Sequence, residues 1–134
     1  ADFINQFARH HVYSTAMPPA QAYALHHAVE MLKNQQWRRD KLAERQAEFD
    51  ELMADLAGFV ATTTPIKPFL VGDAFQAQSI AQQLNDVGIW LTAIRPPTVP
   101  MGSARLRITL TANHSRAQVA ILADQLHKAL ERDR

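Results

Sequence analysis

The chain has 134 residues, 47% of them hydrophobic, which is enough for one domain with a hydrophobic core and excludes a disordered or fibrous protein. Its 14 basic and 13 acidic residues give a net charge of +1 without any run of like charge, so we expect no electrostatic affinity for nucleic acid or for a membrane surface. Cysteine is absent, which excludes disulfides and agrees with a reducing compartment. Because no apolar run is long enough to span a bilayer and no signal peptide is recognisable, we expect a cytoplasmic protein.

The chain begins ADFINQFARHHVYS, without an initiator Met. Phe3, Ile4 and Phe7 lie at helical spacing, as if the sequence opened inside an amphipathic helix that ends near Arg9. This start predicts a piece of a longer protein. A mature chain whose Met was removed before Ala1 explains it equally well.

Two helices are predicted next. Residues 10–15 are expected to be irregular, and the proline pair at 18–19 then opens a helix that continues to about residue 34. A second helix is predicted over residues 36–57, with Gly58 as its stop. Because no strong breaker separates the two helices, one long bent helix is the alternative.

After Gly58 the pattern changes to short strands and further helices. We predict strands at 59–64, 66–71, 89–94 and 104–110, and helices at 75–87 and from 115 to about 130. Asp73 with Gln76 and Ser115 with Gln118 are capping-box pairs that mark the starts of these two helices. Pro68 indicates an edge strand or a bulge, and residues 131–134 are expected to fray.

The order of these elements favours one fold class. Long N-terminal helices are followed by strands and helices, without a repeat or a low-complexity linker. This order predicts an α+β domain with a small, mostly antiparallel sheet that is covered by helices on one face. The other face of the sheet must be covered by something else or bind something.

The predicted strand at residues 104–110 carries the strongest candidate site. Side chains alternate along a strand, so Leu106 and Ile108 point to one face while Arg105 and Arg107 point to the other. The guanidinium of Arg107 suits bidentate binding of a carboxylate, although a solvated surface arginine fits the same pattern. The prolines before this strand hold Arg95 in a stiff, extended loop.

Other polar residues are weaker candidates. His10 and His11 are adjacent, as are two later histidines, but adjacent side chains point apart and no carboxylate lies at ligand spacing, so no metal site is predicted. Tyr13, Ser14 and Thr15 precede a helix, where hydroxyls suit either a phosphate or an N-cap. The lysines are expected in ordinary surface or edge positions; they are Lys33, Lys41, Lys67 and Lys128.

Three sequence blocks resemble one enzyme family. They are FAR with VYSTAMPPA near the start, LTAIRPPTVP at residues 91–100 and ARLRITLTA at residues 104–112. Together they are similar to the C-terminal part of the α-oxoamine synthases, which are fold-type I pyridoxal-phosphate (PLP) enzymes. The middle block resembles the biotin-pathway branch of the family in particular.

The resemblance implies residue roles and a division of the chain. Arg107 resembles the arginine that binds the α-carboxylate of the amino-acid substrate, while Tyr13, Arg95 and Thr98 resemble residues that line the acyl-substrate channel. The hydroxyl pair at 14–15 resembles one that reaches across a homodimer interface to the cofactor phosphate of the other subunit. Residues 1–19 would then be the tail of the large cofactor-binding domain with its interface loop, and residues 20–134 the C-terminal small domain.

The resemblance also implies a reaction and a partial site. The reaction is decarboxylative condensation of L-alanine with a pimeloyl thioester, on coenzyme A or a carrier protein, to 8-amino-7-oxononanoate. The Schiff-base lysine of the family, its stacking histidine and its pyridinium-binding aspartate lie upstream of the first residue of this chain. We therefore expect PLP to be bound by the full-length enzyme, without a covalent bond to this chain, and the chain alone to be inactive.

Three alternatives stay open. The first, within the family, is that the chain is part of a glycine-using acetyltransferase. The second is a stand-alone module that binds an anion on the arginine face of the sheet. The third is a structural or dimerisation domain without a substrate contact.

Overall fold

The computed structural model of the chain describes residues 1–132, and the chain divides into two compact units, Ala1–Gln36 and Trp37–Arg134. The elements are α1 Asp2–Phe7, α2 Arg9–Val12, α3 Pro19–Asn34, α4 Gln36–Met53, β1 Ile66–Gly72, α5 Ala74–Asp86, β2 Thr92–Ile94, β3 Ala104–Thr109 and α6 Arg116–Arg132. No helix within residues 1–132 combines the length and the apolar character that a membrane crossing requires.

The first unit consists of helices whose apolar side chains are exposed. Phe3 and Phe7 of α1 stack on each other with ring centroids 4.9 Å apart, and both are more than two-thirds exposed. The prediction of an irregular stretch at 10–15 is wrong for its first half, where α2 forms a single turn. Ala8 O accepts hydrogen bonds from the amides of both His11 and Val12, each at 2.9 Å. The restriction imposed by Pro18 acts only on the residue before it and does not reach this turn.

The long helices are two separate elements. Gln35, between α3 and α4, has φ −115° and ψ 57°, outside the helical region, so a single bent helix is wrong. The second of the two ends at Met53, four residues before the predicted end. Leu56 N donates to Met53 O and Phe59 N to Leu56 O, so the chain leaves the helix through three-residue turns.

The predicted strand at residues 59–64 is also wrong. Only Phe59 forms a bridge, with Phe69 of β1. Beyond it, the Thr62 hydroxyl donates to Ile66 O at 2.9 Å, and Thr62 O accepts from a lysine side chain at 2.7 Å. Side-chain hydrogen bonds therefore replace a strand ladder in this threonine-rich segment.

The sheet is antiparallel throughout, in the order β1-β3-β2, which confirms the predicted α+β class. β1 is an edge strand, as Pro68 indicated, and its register with β3 shifts between Leu70 and Gly72. β2 is half the predicted length because only Thr92–Ile94 pair with β3.

One face of the sheet is buried beneath α4, α5 and α6. Leu106 and Ile108 of β3 are at most 2% exposed, and their neighbours in the core come from all three helices. The large core side chains on the helices are Phe49, Met53, Ile80, Leu84, Val119 and Leu126. Each such burial contributes about 1.5–3 kcal/mol, so this layer fixes the sheet and thereby the direction of its other face.

The capping residues are where the sequence predicts them. Asp73 Oδ1 accepts from the amides of Phe75 and Gln76 at 2.9 Å and begins α5. At α6, Ser115 Oγ accepts from Gln118 N at 3.2 Å while Gln118 Oε1 accepts from Ser115 N at 2.8 Å, a complete capping box. The helix includes residues 131–132, which were expected to fray; residues 133–134 lie outside the described part of the chain.

Candidate functional site

The open face is the face of the sheet that α4, α5 and α6 do not cover, and β3 contributes every second side chain to it. Leu106 and Ile108 are buried, whereas Arg107 and Thr109 are exposed and Arg105 is half-buried. Because β3 is the central strand, the position of each of its side chains is fixed from both sides. Arg107 is paired with Pro68 of β1 and with Thr92 of β2.

The side chains of the two arginines on this face differ in their hydrogen bonding. Arg105 Nε donates to Ser103 O at 3.1 Å, which ties its guanidinium to the loop before the strand. Within residues 1–132, the side chain of Arg107 has neither a hydrogen bond nor an ion pair. It therefore presents a guanidinium from a rigid strand with every N–H available for an anion.

The proline-rich loop between β2 and β3 presents the other predicted side chains. Arg95 and Thr98 are exposed, as predicted, and Thr98 N donates to Arg95 O at 3.1 Å in a turn. The loop ends where Ser103 Oγ donates to Pro100 O at 2.7 Å. The Pro96–Pro97 peptide is cis.

Arg95 lies at a different place from Arg107. It lines a cavity of about 410 Å³ together with Asp73 and Phe75 at the start of α5 and Met101 of the loop. It also lines the groove between α5 and β2, next to Gln78. The resemblance gave the two arginines different roles, and the structure places them apart, with Arg95 at the β2–α5 edge and Arg107 on the open face.

The remaining predicted residues belong to the first unit. Tyr13 ends α2 and is 83% exposed, and Ser14 and Thr15 follow it, also exposed. The Ser14 hydroxyl donates to His11 O at 2.8 Å, while the Thr15 hydroxyl has no partner within the described residues. Both residues are exposed and a hydroxyl can donate to a phosphate, so the pair is compatible with the contact, which stays a prediction.

Lys67 corrects the expectation that every lysine lies in a surface or edge context. Its side chain is completely buried on the helix-covered face, where Nζ donates to Asp50 Oδ2 and to Thr62 O, both at 2.7 Å. The sequence could have predicted this burial, because Lys67 and Phe69 are two residues apart on one strand and their side chains therefore point to the same face. A lysine on the core side of a strand requires a partner, and Asp50 of α4 is that partner.

No arrangement of His, Cys, Asp or Glu among residues 1–132 is suited to hold a metal ion. The histidine pairs at 10–11 and 26–27 are exposed.

Comparison with known proteins identifies the family. The family model described as aminotransferase class I and II matches residues 1–126. The chain belongs to this family.

Its relatives in the family have high identity. The chain is 59% identical to the 8-amino-7-oxononanoate synthase of Vibrio cholerae serotype O1 over 132 residues, 98% of this chain and 34% of that protein. It is 63% identical to the enzyme of the same name from Vibrio vulnificus over 125 residues, 93% of this chain and 32% of that protein. These identities confirm the resemblance, and the chain spans about a third of the length of these relatives.

Solved structures share the fold. An 8-amino-7-oxononanoate synthase from Francisella tularensis matches with a TM-score of 0.82 at 26% identity, over 98% of this chain and 39% of that one. A serine palmitoyltransferase from S. paucimobilis, solved with a bound PLP–myriocin aldimine, has a TM-score of 0.86 at 21% identity, over 98% of this chain and 34% of that one. The α+β fold of this chain therefore occurs as part of these two larger enzymes.

Proposed function

We propose that this chain is the C-terminal domain of a PLP-dependent acyltransferase that condenses L-alanine with a pimeloyl thioester to form 8-amino-7-oxononanoate, with release of CO2 and of the free thiol carrier. The observation that carries the proposal is the unpartnered Arg107 on the central strand, in a chain that is about 60% identical to enzymes of that name. In the full-length homodimer, residues 1–19 would belong to the large domain and residues 20–134 to the small domain.

Arg107 binds and orients the amino acid. Its two outer N–H groups face one way from a planar fork, which matches the two oxygens of an α-carboxylate. Because β3 is held by a strand on each side, the guanidinium keeps its position when the substrate binds. Arg105 is less suited to this role, because its Nε already donates to Ser103 O.

The cofactor would be held by hydroxyls of this chain without a covalent bond. PLP supplies the electron sink that stabilises the carbanion formed during this class of reaction. Ser14 and Thr15 would bind its phosphate across the dimer interface. Lys67 does not suit a covalent attachment to PLP, because its Nζ is buried and donates to Asp50 and Thr62.

The acyl substrate would contact Tyr13, Arg95 and Thr98. Support comes from the cavity of about 410 Å³ in which Arg95 lies beside the apolar side chains of Phe75 and Met101. A pimeloyl chain combines methylenes with a terminal carboxylate, so a cationic group beside apolar surface suits it.

The test is product formation by the full-length protein. With L-alanine and pimeloyl thioester, on coenzyme A or on a carrier protein, we expect 8-amino-7-oxononanoate and one CO2 per turnover, measured by mass spectrometry. Turnover of glycine with an acetyl thioester, and none of L-alanine, would assign the chain to the glycine-using branch. Absence of turnover with every pair, together with tight anion binding, would favour a binding module.

A further inference from the structure

A further cavity, beside the segment that precedes β2, is not used by the proposed reaction. It has a volume of about 310 Å³ and lies between the turn after α5, the end of β3 and the first turns of α6. Its wall is formed mainly by apolar side chains, including Ile89, Trp90, Val119 and Ile121. This size and lining fall in the range of small-molecule sites.

Among the polar side chains that line the cavity, His114 and Gln118 each have an acceptor atom occupied, whereas the Thr109 hydroxyl can donate or accept. His114 Nδ1 accepts a hydrogen bond from Thr111 N at 3.2 Å. Since a backbone N–H can only donate, the ring hydrogen of the neutral imidazole is on Nε2. Gln118 Oε1 accepts from Ser115 N at 2.8 Å in the capping box, which leaves the NH2 group of Gln118 as its free end.

The remaining hydrogen-bonding groups of these two side chains are therefore donors. Among the described residues that line this cavity, none is Asp, Glu, Lys or Arg. The first turn of α6, which begins at Arg116, adds the positive end of a helix dipole. Such surroundings favour a ligand that accepts hydrogen bonds and offers no donor or positive charge.

We propose that this cavity binds a small amphiphile with an apolar body and a head group of acceptor oxygens, a carboxylate or an ester carbonyl. The head group accepts from His114 Nε2 and Gln118 Nε2. The apolar body lies against Ile89, Ile121 and Trp90, and the last of these is 91% exposed although it is a large apolar side chain. Binding would cover this exposed surface.

The first experiment is titration of the full-length protein with octanoate, methyl octanoate and octylammonium, followed by calorimetry. Octanoate is expected to bind with a Kd on the order of 1 mM or tighter. Binding of the ester as well assigns recognition to the carbonyl, and its absence assigns recognition to the carboxylate; both agree with the proposal. No saturable binding of octanoate, or equal binding of octylammonium, would overturn it.

Gln118→Glu is the decisive variant, because glutamate at this position keeps an acceptor for Ser115 N while it replaces the NH2 donor by a second, charged acceptor. Octanoate should bind at least about ten-fold more weakly, with an unchanged Tm. Gln125→Glu makes the same change of charge on α6 outside the cavity lining and should leave Kd as it is. Equal affinity of Gln118→Glu and the wild type would contradict the proposal.

Trp90 reports binding either at this cavity or at the neighbouring groove between α5 and β2, which it also lines, and Gln118→Glu distinguishes the two. Octanoate should change the tryptophan fluorescence of the full-length protein, and Trp90→Phe should remove that change while calorimetry still detects binding. A fluorescence change of full size in Trp90→Phe would place the ligand elsewhere.

Discussion

Lys67 and Arg107 are cations on neighbouring strands whose surroundings are opposite. Lys67 is paired with Ile108, one residue along β3 from Arg107, and therefore points to the helix-covered face. It is fully buried with Asp50 as its ion-pair partner, whereas Arg107 is exposed and has no partner within residues 1–132.

We infer that strand parity separates the structural cation, Lys67, from the proposed binding cation, Arg107. A buried ammonium must be compensated within the fold, so its loss is expected to affect stability. A guanidinium without an internal partner contributes little to stability, so its loss is expected to affect ligand binding. The variants below test this division, beginning with the largest expected effect on stability.

Lys67→Ala should cost about 3–5 kcal/mol of unfolding free energy, because it leaves the Asp50 carboxylate without its buried partner. Hydrogen exchange of the β1–β3 amides in the full-length protein measures the loss. Lys128→Ala removes a lysine from an exposed ion pair with Asp124 on α6 and should cost less than about 1 kcal/mol. Similar losses in both variants would remove the distinction between a buried and an exposed lysine.

Ile108→Ala and Thr109→Ala compare the two faces directly. The isoleucine is 2% exposed and packs in the core, so its truncation should cost about 2–5 kcal/mol. The threonine on the open face should change stability by less than about 0.5 kcal/mol. Urea denaturation of the two full-length variants gives the comparison, and a large loss for Thr109→Ala would show that the open face is packed.

Gly58→Ala should cost more than Gly88→Ala. Both residues have positive φ, +100° and +82°, for which an alanine pays about 1–2 kcal/mol. A Cβ at Gly58 would also lie 2.4 Å from Leu70 O, whereas nothing lies within 4 Å at Gly88. Thermal denaturation should therefore give the lower Tm for Gly58→Ala; the reverse order would contradict the close approach of this turn to β1.

Asp73→Ala should cost about 1 kcal/mol, because two amides at the start of α5 lose their acceptor. Asp86, at the last turn of the same helix, is a matched control. Its carboxylate lies at the negative end of the dipole, so Asp86→Ala should cost less. Equal losses, measured by urea denaturation, would show that the cap contributes nothing specific.

Much of the fold could be predicted from the sequence because its signals are local. Capping at Asp73 and Ser115, alternation along β3 and the edge position of Pro68 each depend on a few neighbouring residues. The failed predictions depended on which hydrogen bonds a segment makes, and residue propensity does not determine these. The segment at 59–64 has strand propensity, yet the side chains of Thr62 and Lys67 take its hydrogen bonds.

The candidate site was predictable in part for the same reason. Alternation separated Arg107 from the core, but it could not distinguish it from Arg105, since only the structure shows the bond to Ser103 O. The position of Arg95 at the β2–α5 edge depends on packing against α5, which no local pattern encodes. The sequence predicted Gln118 only as a capping residue and did not single out His114.

The most direct test of the binding role is Arg107→Ala in the full-length protein. Loss of the charge-assisted hydrogen bonds to the amino-acid carboxylate, about 2–3 kcal/mol, should raise the KM for L-alanine roughly 30- to 150-fold with an unchanged Tm. Arg132→Ala, which removes an exposed arginine from the end of α6, should leave KM unchanged. A wild-type KM for L-alanine in Arg107→Ala would contradict the assignment of this residue to the substrate.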